Sequence, residues 1–408
     1  MWTRRSTEAM SVSKQQQVTA LIMATLGFAV NFWAWSLISP LGPVFVGEGL
    51  AEDSSLMVAI PVLVGSLGRI LAGAYTDRFG GRRMMTLISL LTVIPVLFIG
   101  LIGQYQLWTL LLGGLFLGFG GTSFAIGVPY VNSWFPKEQR GSAIGVYGVG
   151  MGGTAIAAFT TVPLYNIDHR LPFLLVAGVL VVYAIAAWFL MKDSPNWSPS
   201  KRSLGAQLSD TSKILLTWQA CYLYALSFGG YVAFSVYLPT ILHQAYGLET
   251  ADASLRTAGF VIAAVVMRPV GGILADRIGA IRTLVIAYSL VIICALTLAF
   301  DPHLMPLGTV AFIAMSIGLG LGSGATFALI AQVSDPSKVG SITGFVGAAG
   351  GLGGFVPPLL LGVLWKSFQN YSLGILLLAV FTLIALLITL WIGAGQRRAK
   401  AASLPVHS

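Results

Sequence analysis

The stretch of sequence that decides the fold reads Gly73-Ala-Tyr-Thr-Asp77-Arg78-Phe-Gly80-Gly-Arg82-Arg83 and separates two apolar runs. A weaker copy, Gly272-Ile-Leu-Ala-Asp276-Arg277-Ile-Gly279-Ala-Ile-Arg282, follows at an offset of 199 residues. In both copies a glycine permits a tight turn, and the aspartate and basic side chains can form ion pairs beside it. A basic loop that only orients a membrane protein would not require the Asp-Arg-x-Gly spacing. The repeated spacing therefore predicts one structural element used twice.

The chain has too few charged residues to cover the surface of a soluble protein. Only 9% of its 408 residues are charged and 56% are hydrophobic, whereas a soluble domain carries about 25% charged residues. Such a chain must be solvated by lipid, and we expect the lipid bilayer to be its main partner.

The net charge of +9 does not indicate a nucleic-acid partner. The basic residues fall in short gaps between apolar runs, and they form neither a long tract nor a basic helix face. The two cysteines, Cys221 and Cys294, lie inside apolar segments, which excludes a disulfide framework and a thiolate metal site. We therefore expect no nucleic-acid partner, no metal and no cofactor.

Runs of roughly 20 apolar residues are long enough to cross a membrane as helices. The first run, 18–46, is too long for a signal-peptide core and lacks a small-x-small cleavage site, so we interpret it as a retained helix. A polar stretch separates six such runs from six more. We predict a six-helix bundle over 1–191, a cytoplasmic linker over 192–213 and a second six-helix bundle over 214–408. The predicted spans lie near 18–43, 56–76, 84–103, 107–134, 140–163, 171–191, 214–242, 254–275, 282–300, 306–332, 339–364 and 372–394.

The distribution of Lys and Arg predicts the orientation in the membrane. Placing both termini inside assigns 18 of the 23 basic residues to inside loops and tails, and only Arg170, Arg256 and Lys366 to outside loops. This is a strong positive-inside bias. We expect a multi-pass protein of the cell membrane, with both termini cytoplasmic, and a monomer.

The offset of 199 residues extends beyond the two signature copies. Parallel repeats of six helices, related by an axis along the membrane normal, place a substrate site between the halves near the midplane. The further superposed pairs are Pro40 with Pro239, Arg69 with Arg268, Gly141 with Gly340, Gly145 with Gly344, and Gly148 with Gly347.

Two arginines of the repeat lie deep inside predicted helices. Arg69 precedes Asp77 by eight residues, so it lies roughly 12 Å inside the helix end, close to the middle of a hydrocarbon core about 30 Å thick. Arg268 has the same depth by the repeat. A buried arginine costs about 3 kcal/mol on insertion scales, so its presence normally marks function.

The chain offers these arginines no counter-charge at their depth. All 14 acidic residues lie in loops, at helix ends or in the signature copies, and the four histidines lie in loops or tails. A transported anion is the natural partner, because guanidinium matches planar oxyanions well. The alternative is that each arginine binds backbone carbonyls or extends to water.

With paired arginines on helices 2 and 8 and two signature copies, the chain resembles the nitrate/nitrite porter family of the major facilitator superfamily over nearly its whole length. The resemblance implies an all-α membrane protein with the major facilitator fold, in which twelve transmembrane helices form two pseudo-symmetric six-helix bundles. It implies that Arg69 and Arg268 clamp the anion. It also implies that Phe124, Tyr224 and Phe228 line the site, where flat rings can sandwich a planar anion and the tyrosine hydroxyl can donate to an oxygen. Packing alone is the alternative for the aromatic residues.

The resemblance assigns a conformational role to the signature copies, which in the family steady one of the alternating states. The residues concerned are Asp77, Arg78, Arg82 and Arg83 in the first copy, and Asp276, Arg277 and Arg282 in the second.

Helix 5 carries the glycine-rich run Gly145-Val-Tyr-Gly148-Val-Gly150-Met151-Gly152-Gly153, and helix 11 carries a similar run around Gly347. The resemblance places Gly148, Met151 and Gly347 at the site. Met151 stands where the family has asparagine, which removes an amide partner and leaves the choice of anion and the coupling mode open. Small residues also let helices pack closely and slide, so these runs are either packing surfaces or a gating seam beside the site.

The sequence predicts a secondary transporter that moves nitrate or nitrite by alternating access through anion exchange, and not an enzyme. Proton symport, another small anion such as cyanate, formate or a short carboxylate, and a transport-derived anion sensor remain alternatives. An exporter of cationic drugs is disfavoured because no carboxylate lies mid-span. A membrane-embedded enzyme would need a cluster of His, Asp, Glu or Cys at one depth, and the sequence has none.

Overall fold

The structure is a computed structural model that describes residues 13–136, 139–195, 197–199, 209–333 and 339–402. Arg4 and Arg5 of the basic N-terminus, and positions 196 and 200–208 of the predicted linker, lie outside the described residues. Within these ranges the regular secondary structure is entirely helical.

Twelve helices are long and apolar enough to cross a membrane, as predicted. Several continue about one turn beyond the predicted ends, because polar residues such as His243 extend the helix past its apolar span. The membrane helices are α1 Lys14–Gly47, α2 Ser55–Phe79, α3 Gly81–Leu101, α4 Leu107–Trp134, α5 Ala143–Ile167, α6 Leu171–Leu190, α7 Leu215–Tyr246, α8 Thr250–Ile278, α9 Ala280–Ala299, α10 Leu304–Ile330, α11 Phe345–Phe368 and α12 Ser372–Arg398. We refer to α1–α6 as the N-terminal bundle and to α7–α12 as the C-terminal bundle.

The signature copies form matching turns. Gly80 joins α2 to α3 with φ of 87°, and Gly279 joins α8 to α9 with φ of 93°. Side-chain-bearing residues rarely adopt this backbone, so both turns require glycine. The first turn is also held by Asp193, just after α6, whose Oδ1 accepts the backbone N–H of Arg82 at 3.1 Å.

Among the described residues, the signature turns do not form the expected ion pairs. The ion pairs among the described residues are Arg256–Asp252, Lys366–Glu52 and Lys366–Asp53, none of which involves a signature copy. The guanidinium of Arg82 instead lies 5.0 Å from the ring centroid of Trp188. Aromatic surface at the bundle periphery therefore takes the place of a carboxylate for this arginine.

Five membrane helices are interrupted, one of them at the non-helical Met305 near the beginning of α10. Chain segments Lys14–Trp35 and Ile38–Gly47 make up α1, and Leu107–Gly121 and Ser123–Trp134 make up α4. In α5 a 3-10 stretch, Gly148–Gly152, separates Arg140–Tyr147 from Gly153–Ile167, and in α11 helical structure stops at Leu352 and resumes at Val356. The breaks in α5 and α11 fall in the two glycine-rich runs. Because interrupted helices expose backbone carbonyls, such breaks can line a polar site inside a membrane protein.

The two bundles are joined by hydrogen bonds at the end of the molecule opposite the signature turns. Between the arginines and the signature turns, no hydrogen bond joins the two bundles within the described ranges. We call the group formed by Lys366, Glu52 and Asp53 the distal latch; its ammonium nitrogen lies 3.0 Å from Glu52 Oε2 and 2.9 Å from Asp53 Oδ2. The other contacts at this end are Ser39 with the Val236 carbonyl at 2.6 Å and Ser54 with Thr240 at 2.7 Å.

Candidate substrate site between the bundles

Arg69 on α2 and Arg268 on α8 face each other across the interface between the bundles. Only 3% of the Arg69 surface and 2% of the Arg268 surface are exposed. Neither guanidinium forms an ion pair with any acidic side chain in the part of the chain that the structure describes. Two permanent cations are therefore buried without a counter-charge among the described residues, as expected from the sequence.

Arg69 is held by backbone carbonyls. Its Nε donates to the Gly121 carbonyl oxygen at 3.1 Å, and its Nη1 donates to the Gly347 carbonyl oxygen of the C-terminal bundle at 3.2 Å. Gly121 ends the first segment of α4, where the Ala125 amide bonds to Thr122 instead and leaves the Gly121 carbonyl to Arg69. Carbonyl capping, one of the alternatives left by the sequence, thus accounts for two of the N–H groups of Arg69, which has five in all.

Arg268 has weaker acceptors. Its Nη2 donates to the Tyr224 hydroxyl at 2.9 Å, and its Nη1 lies 3.3 Å from the Met151 sulfur in the N-terminal bundle. A hydroxyl can accept and donate, whereas a thioether is only a weak acceptor. The guanidinium of Arg268 therefore keeps more donor capacity for an anion than that of Arg69.

Phenylalanine rings lie beside both guanidinium groups. The Phe124 and Phe228 rings stack with centroids 5.9 Å apart and planes 23° apart. The Cζ atom of Arg69 lies 5.4 Å and 5.3 Å from these centroids, and that of Arg268 lies at the same two distances. Tyr224 extends the stack, with its ring nearly parallel to that of Phe228 at 5.0 Å. The three aromatic residues named from the sequence are therefore brought together with both arginines.

Glycines make room for the arginines. A Cβ atom at position 148 would lie 3.0 Å from Nε of Arg268, and one at position 351 would lie 2.7 Å from Nη1 of Arg69. Gly347 lies against the Phe124 ring as well as accepting from Arg69. The glycine-rich runs thus act both as packing surfaces and as part of the site wall.

Several residues of this constellation were not predicted. Phe327 on α10 meets Tyr224 edge-to-face at 4.7 Å, and its centroid is 5.9 Å from Cζ of Arg268. Tyr147 donates to the Ser123 carbonyl oxygen at 2.9 Å, with the Phe124 carbonyl oxygen at 3.2 Å, and its ring stacks on that of Phe124. Phe327 was detectable as a lone aromatic in a run of small residues, and Tyr147 as the aromatic inside the glycine-rich run. Phe28, whose ring centroid lies 5.5 Å from that of Phe124, carried no comparable signal. The same holds for Thr154 and Tyr231, whose hydroxyl oxygens lie 2.8 Å apart.

The signature residues lie away from this site, at the ends of α2 and α8 and the beginnings of α3 and α9. Asp276, Arg277 and Arg282 are exposed, and so are Arg78 and Arg83. Among the described residues no cluster of three or more His, Cys, Asp or Glu side chains could hold a metal ion.

Known proteins have a similar sequence and architecture. The model of the Major Facilitator Superfamily matches residues 24–358 and again 221–407. A probable nitrate/nitrite transporter, NarK2 of Mycobacterium tuberculosis (strain ATCC 25618 / H37Rv), is 41% identical over 377 residues, which cover 90% of this chain and 95% of that protein. The nitrite extrusion protein of Bacillus subtilis (strain 168) is 33% identical over 385 residues, with 94% and 96% covered.

A solved structure supports the same fold. A bacterial homologue of the human lysosomal transporter Spinster superposes with a TM-score of 0.71 over 92% of this chain and 97% of its own, at 17% sequence identity. The family match, the similar relatives and the twelve-helix architecture agree. The chain is a multi-pass membrane transporter that belongs to the nitrate/nitrite porter family of the Major Facilitator Superfamily.

Proposed function

We propose that the chain carries nitrate and nitrite across the cell membrane by alternating access and exchanges one anion for the other. The observation that carries this proposal is the pair of buried, unpaired guanidinium groups that flank two stacked phenylalanine rings between the bundles. The names of the relatives, a probable nitrate/nitrite transporter and a nitrite extrusion protein, point to the same cargo.

The chemistry of the site suits a small planar monovalent anion. Guanidinium N–H groups bind the edges of an oxyanion, while phenylalanine rings cover its faces without offering a competing acceptor. Arg69, Arg268 and the Tyr224 hydroxyl would supply the donors, and Phe124 and Phe228 would supply the walls. Met151, Gly148 and Gly347 would fix the position of the arginines and the width of the site.

The described contacts support alternating access. Hydrogen bonds and an ion pair join the bundles from the level of the arginines to the distal latch. The end of the molecule that carries the distal latch is therefore closed in this structure. We propose that both termini and the signature turns face the cytoplasm and that the distal latch faces outside. We further propose that the chain is a monomer in which bundles 1–191 and 214–408, joined by the linker 192–213, rock about the arginine pair.

In the part of the chain that the structure describes, no carboxylate pairs with either arginine, and this supports exchange rather than proton symport. A proton relay needs a group that can be neutral or charged at membrane depth, and guanidinium does not deprotonate. Two like charges repel strongly in a low-dielectric cavity, so closing around an empty site is less favourable than closing around an anion. Return of the empty carrier is then slow.

The test is a competition assay in proteoliposomes that hold the purified protein. Uptake of labelled nitrate should be inhibited by nitrite more strongly than by chloride, formate or cyanate, and vesicles with the Arg69→Lys/Arg268→Lys variant are the control. Equal or stronger inhibition by formate or cyanate would assign the site to another small anion. High-affinity binding of nitrate without uptake would instead identify an anion sensor.

A further inference from the structure

A tyrosine of α7 whose hydroxyl bonds to neither arginine forms a hydrogen bond across the interface between the bundles. Tyr231 lies one turn beyond Phe228 and is only 1% exposed. Its hydroxyl oxygen is 2.8 Å from Oγ1 of Thr154 and 3.3 Å from the Met151 carbonyl oxygen, both on α5. This contact therefore connects the C-terminal bundle to the segment of α5 that carries Met151.

The Met151 carbonyl accepts from the side chains of α5 and α7 as well as from the Gly153 backbone N–H, because α5 is irregular there. Met151 lies in the 3-10 stretch Gly148–Gly152, and Oγ1 of Thr154 is also within 3.0 Å of its carbonyl oxygen. Each hydroxyl has one hydrogen to donate. One of the two hydroxyls therefore donates to the carbonyl and the other donates to its neighbour, so the two hydroxyls and the Met151 carbonyl form one hydrogen-bonded group.

The position of this backbone decides where the Met151 sulfur lies. A methionine side chain is unbranched, flexible and unable to donate a hydrogen bond, so its location depends on its backbone and on packing. The sulfur lies 3.3 Å from Nη1 of Arg268. A chain of contacts thus runs from the Tyr231 hydroxyl through the Met151 backbone and sulfur to the guanidinium group.

We propose that Tyr231 and Thr154 are positioning residues that hold Met151 against Arg268 and so set the affinity and selectivity of the site for its anion. This inference rests on the proposed function, since it assigns a role to residues behind the same arginine. It adds a shell of hydroxyl groups, on the side of the site nearer the distal latch, that does not itself touch the anion. Loosening this shell lets Arg268 adopt more than one position and weakens anion binding without removing a ligand.

Tyr231→Phe tests the proposal because it removes one oxygen and keeps the ring. We expect the KM for nitrate and nitrite exchange to rise about threefold to tenfold, the loss typical of one hydrogen bond, with the maximal rate within about twofold of wild type. We also expect the nitrate-to-nitrite preference to change. Tyr288→Phe is the matched control, since Tyr288 is fully buried and donates to the Leu223 carbonyl oxygen within the C-terminal bundle; its kinetics should stay near wild type.

A double-mutant cycle separates positioning from general weakening of the fold. Thr154→Val should reproduce the Tyr231→Phe phenotype, Thr154→Ser should retain wild-type KM, and the double variant Tyr231→Phe/Thr154→Val should be no worse than either single one. In a Met151→Leu background, which lacks the sulfur, Tyr231→Phe should have no further effect on KM.

Additive effects of the two substitutions, or a full Tyr231→Phe effect in the Met151→Leu background, would overturn the proposal. An unchanged KM with a lowered maximal rate would also overturn it and would assign the contact to opening of the bundles. If wild-type vesicles show no nitrate or nitrite exchange, the proposed function fails first. A thermal unfolding cycle on the same four proteins still reports whether Tyr231 and Thr154 act as one unit, and additive shifts there would again reject the pairing.

Discussion

Nη1 of Arg69 donates to the carbonyl oxygen of Gly347 at 3.2 Å, and Gly347 occupies the repeat position of Gly148, against which Arg268 packs. Each arginine therefore reaches across the interface to the glycine-rich run of the other bundle. The two links differ in chemistry, since Arg69 meets a carbonyl and Arg268 meets the Met151 thioether. The two pseudo-symmetric bundles thus hold Arg69 firmly and leave Arg268 freer to bind a ligand.

The planar, forked shape of the Arg69 and Arg268 guanidinium groups should matter more for transport than their charge. Lysine keeps the charge but offers a compact ammonium in place of a planar fork, so it cannot hold the Gly121 and Gly347 carbonyls together at position 69. We expect Arg69→Lys and Arg268→Lys each to lower transport at least about tenfold, with expression near normal. The measurement is initial uptake of labelled nitrate per amount of reconstituted protein.

Arg256→Lys is the control for this substitution. Arg256 is partly exposed and pairs with Asp252 one turn earlier on the same helix, so lysine should be tolerated there. Transport near wild type in either Arg69→Lys or Arg268→Lys would refute the clamp.

Met151 should influence which anion the site prefers. Asparagine at this position would offer Arg268 a strong carbonyl acceptor and would add an amide donor beside the anion. We expect Met151→Asn to change the nitrate-to-nitrite inhibition ratio by about threefold or more, an effect of one hydrogen bond. Competition of both anions against labelled nitrate measures the ratio.

The Met151→Leu variant distinguishes the effect of adding the amide from the effect of removing the sulfur. If leucine and asparagine shift the ratio equally, the amide has no role. If neither shifts it, position 151 does not affect selectivity despite its contact with Arg268.

The fold was predictable because its signals are long and repeated. Each apolar run is long enough to cross a membrane as a helix, and Gly80 and Gly279 recur at the offset of 199 residues, both with positive φ near 90°. Helix ends were predicted less well, because hydropathy does not reveal polar turns such as the one around His243 that continue α7 outside the membrane. That the signature turns form no ion pair with any described residue depends on side-chain rotamers, which residue type does not specify.

The burial of the two arginines at the centre of the candidate site was also predictable, but the residues that pack around them were not. A buried arginine without a counter-charge stands out in any apolar helix, and Arg268 repeats Arg69. The contacts of Gly351, Tyr231 and Thr154 depend on where α5, α7 and α11 are broken and how closely they pack. Those contacts form between helices of different bundles, so the residue pattern of a single helix does not predict them.

Gly351 should be as sensitive to substitution as a direct ligand. A Cβ atom there would lie 2.7 Å from Nη1 of Arg69 and 2.5 Å from Oγ of Ser66. We expect Gly351→Ala to displace the guanidinium and to lower transport about tenfold or more, measured by nitrate uptake. Gly259→Ala is the matched control, since a Cβ at position 259 on α8 meets no atom within 4 Å. Comparable losses in the two variants would show that the defect comes from helix packing in general.

The distal latch should open in acid. Burial raises the pKa of the Asp53 carboxyl, but hydrogen bonds from Ser55 and Lys366 lower it further, so the net pKa lies below its usual value. The stabilisation of the closed end is therefore fully present above the ordinary pKa of an aspartate and is lost as the pH falls through the lowered pKa. Spin labels at Ala51→Cys and Asn370→Cys, with both native cysteines replaced, should report a longer distance at acid pH by pulsed dipolar spectroscopy.

Asp53→Asn should give that longer distance already at neutral pH, because the amide lacks the charge that pairs with Lys366. Asp252→Asn is the control, since its ion pair lies within α8 and does not join the bundles. A distance distribution that is the same at neutral and acid pH, or unchanged by Asp53→Asn, would show that the ion pair does not hold this end closed.

The coupling mode follows from the charge of the empty site. Arg69 and Arg268 repel each other when no anion lies between them, and neither can release a proton at physiological pH. We therefore expect uptake of labelled nitrate to depend strongly on nitrite or nitrate inside the vesicle and only weakly on an imposed pH gradient. Proteoliposomes loaded with or without an internal anion, at matched and mismatched pH, give the four conditions required.

Protons have two other routes across the membrane, and transport by either route would contradict this prediction. Protons can cross with water through an open bundle, or they can enter with the anion as its neutral acid, which is less favourable for nitrate because it is a very weak base. Either route would drive nitrate into anion-free vesicles when the outside is acidic, and a protonophore would abolish that uptake. Robust uptake of this kind establishes symport and rules out exchange. Uptake that requires an internal anion and survives the protonophore means instead that the arginine pair closes only when an anion lies between its two charges.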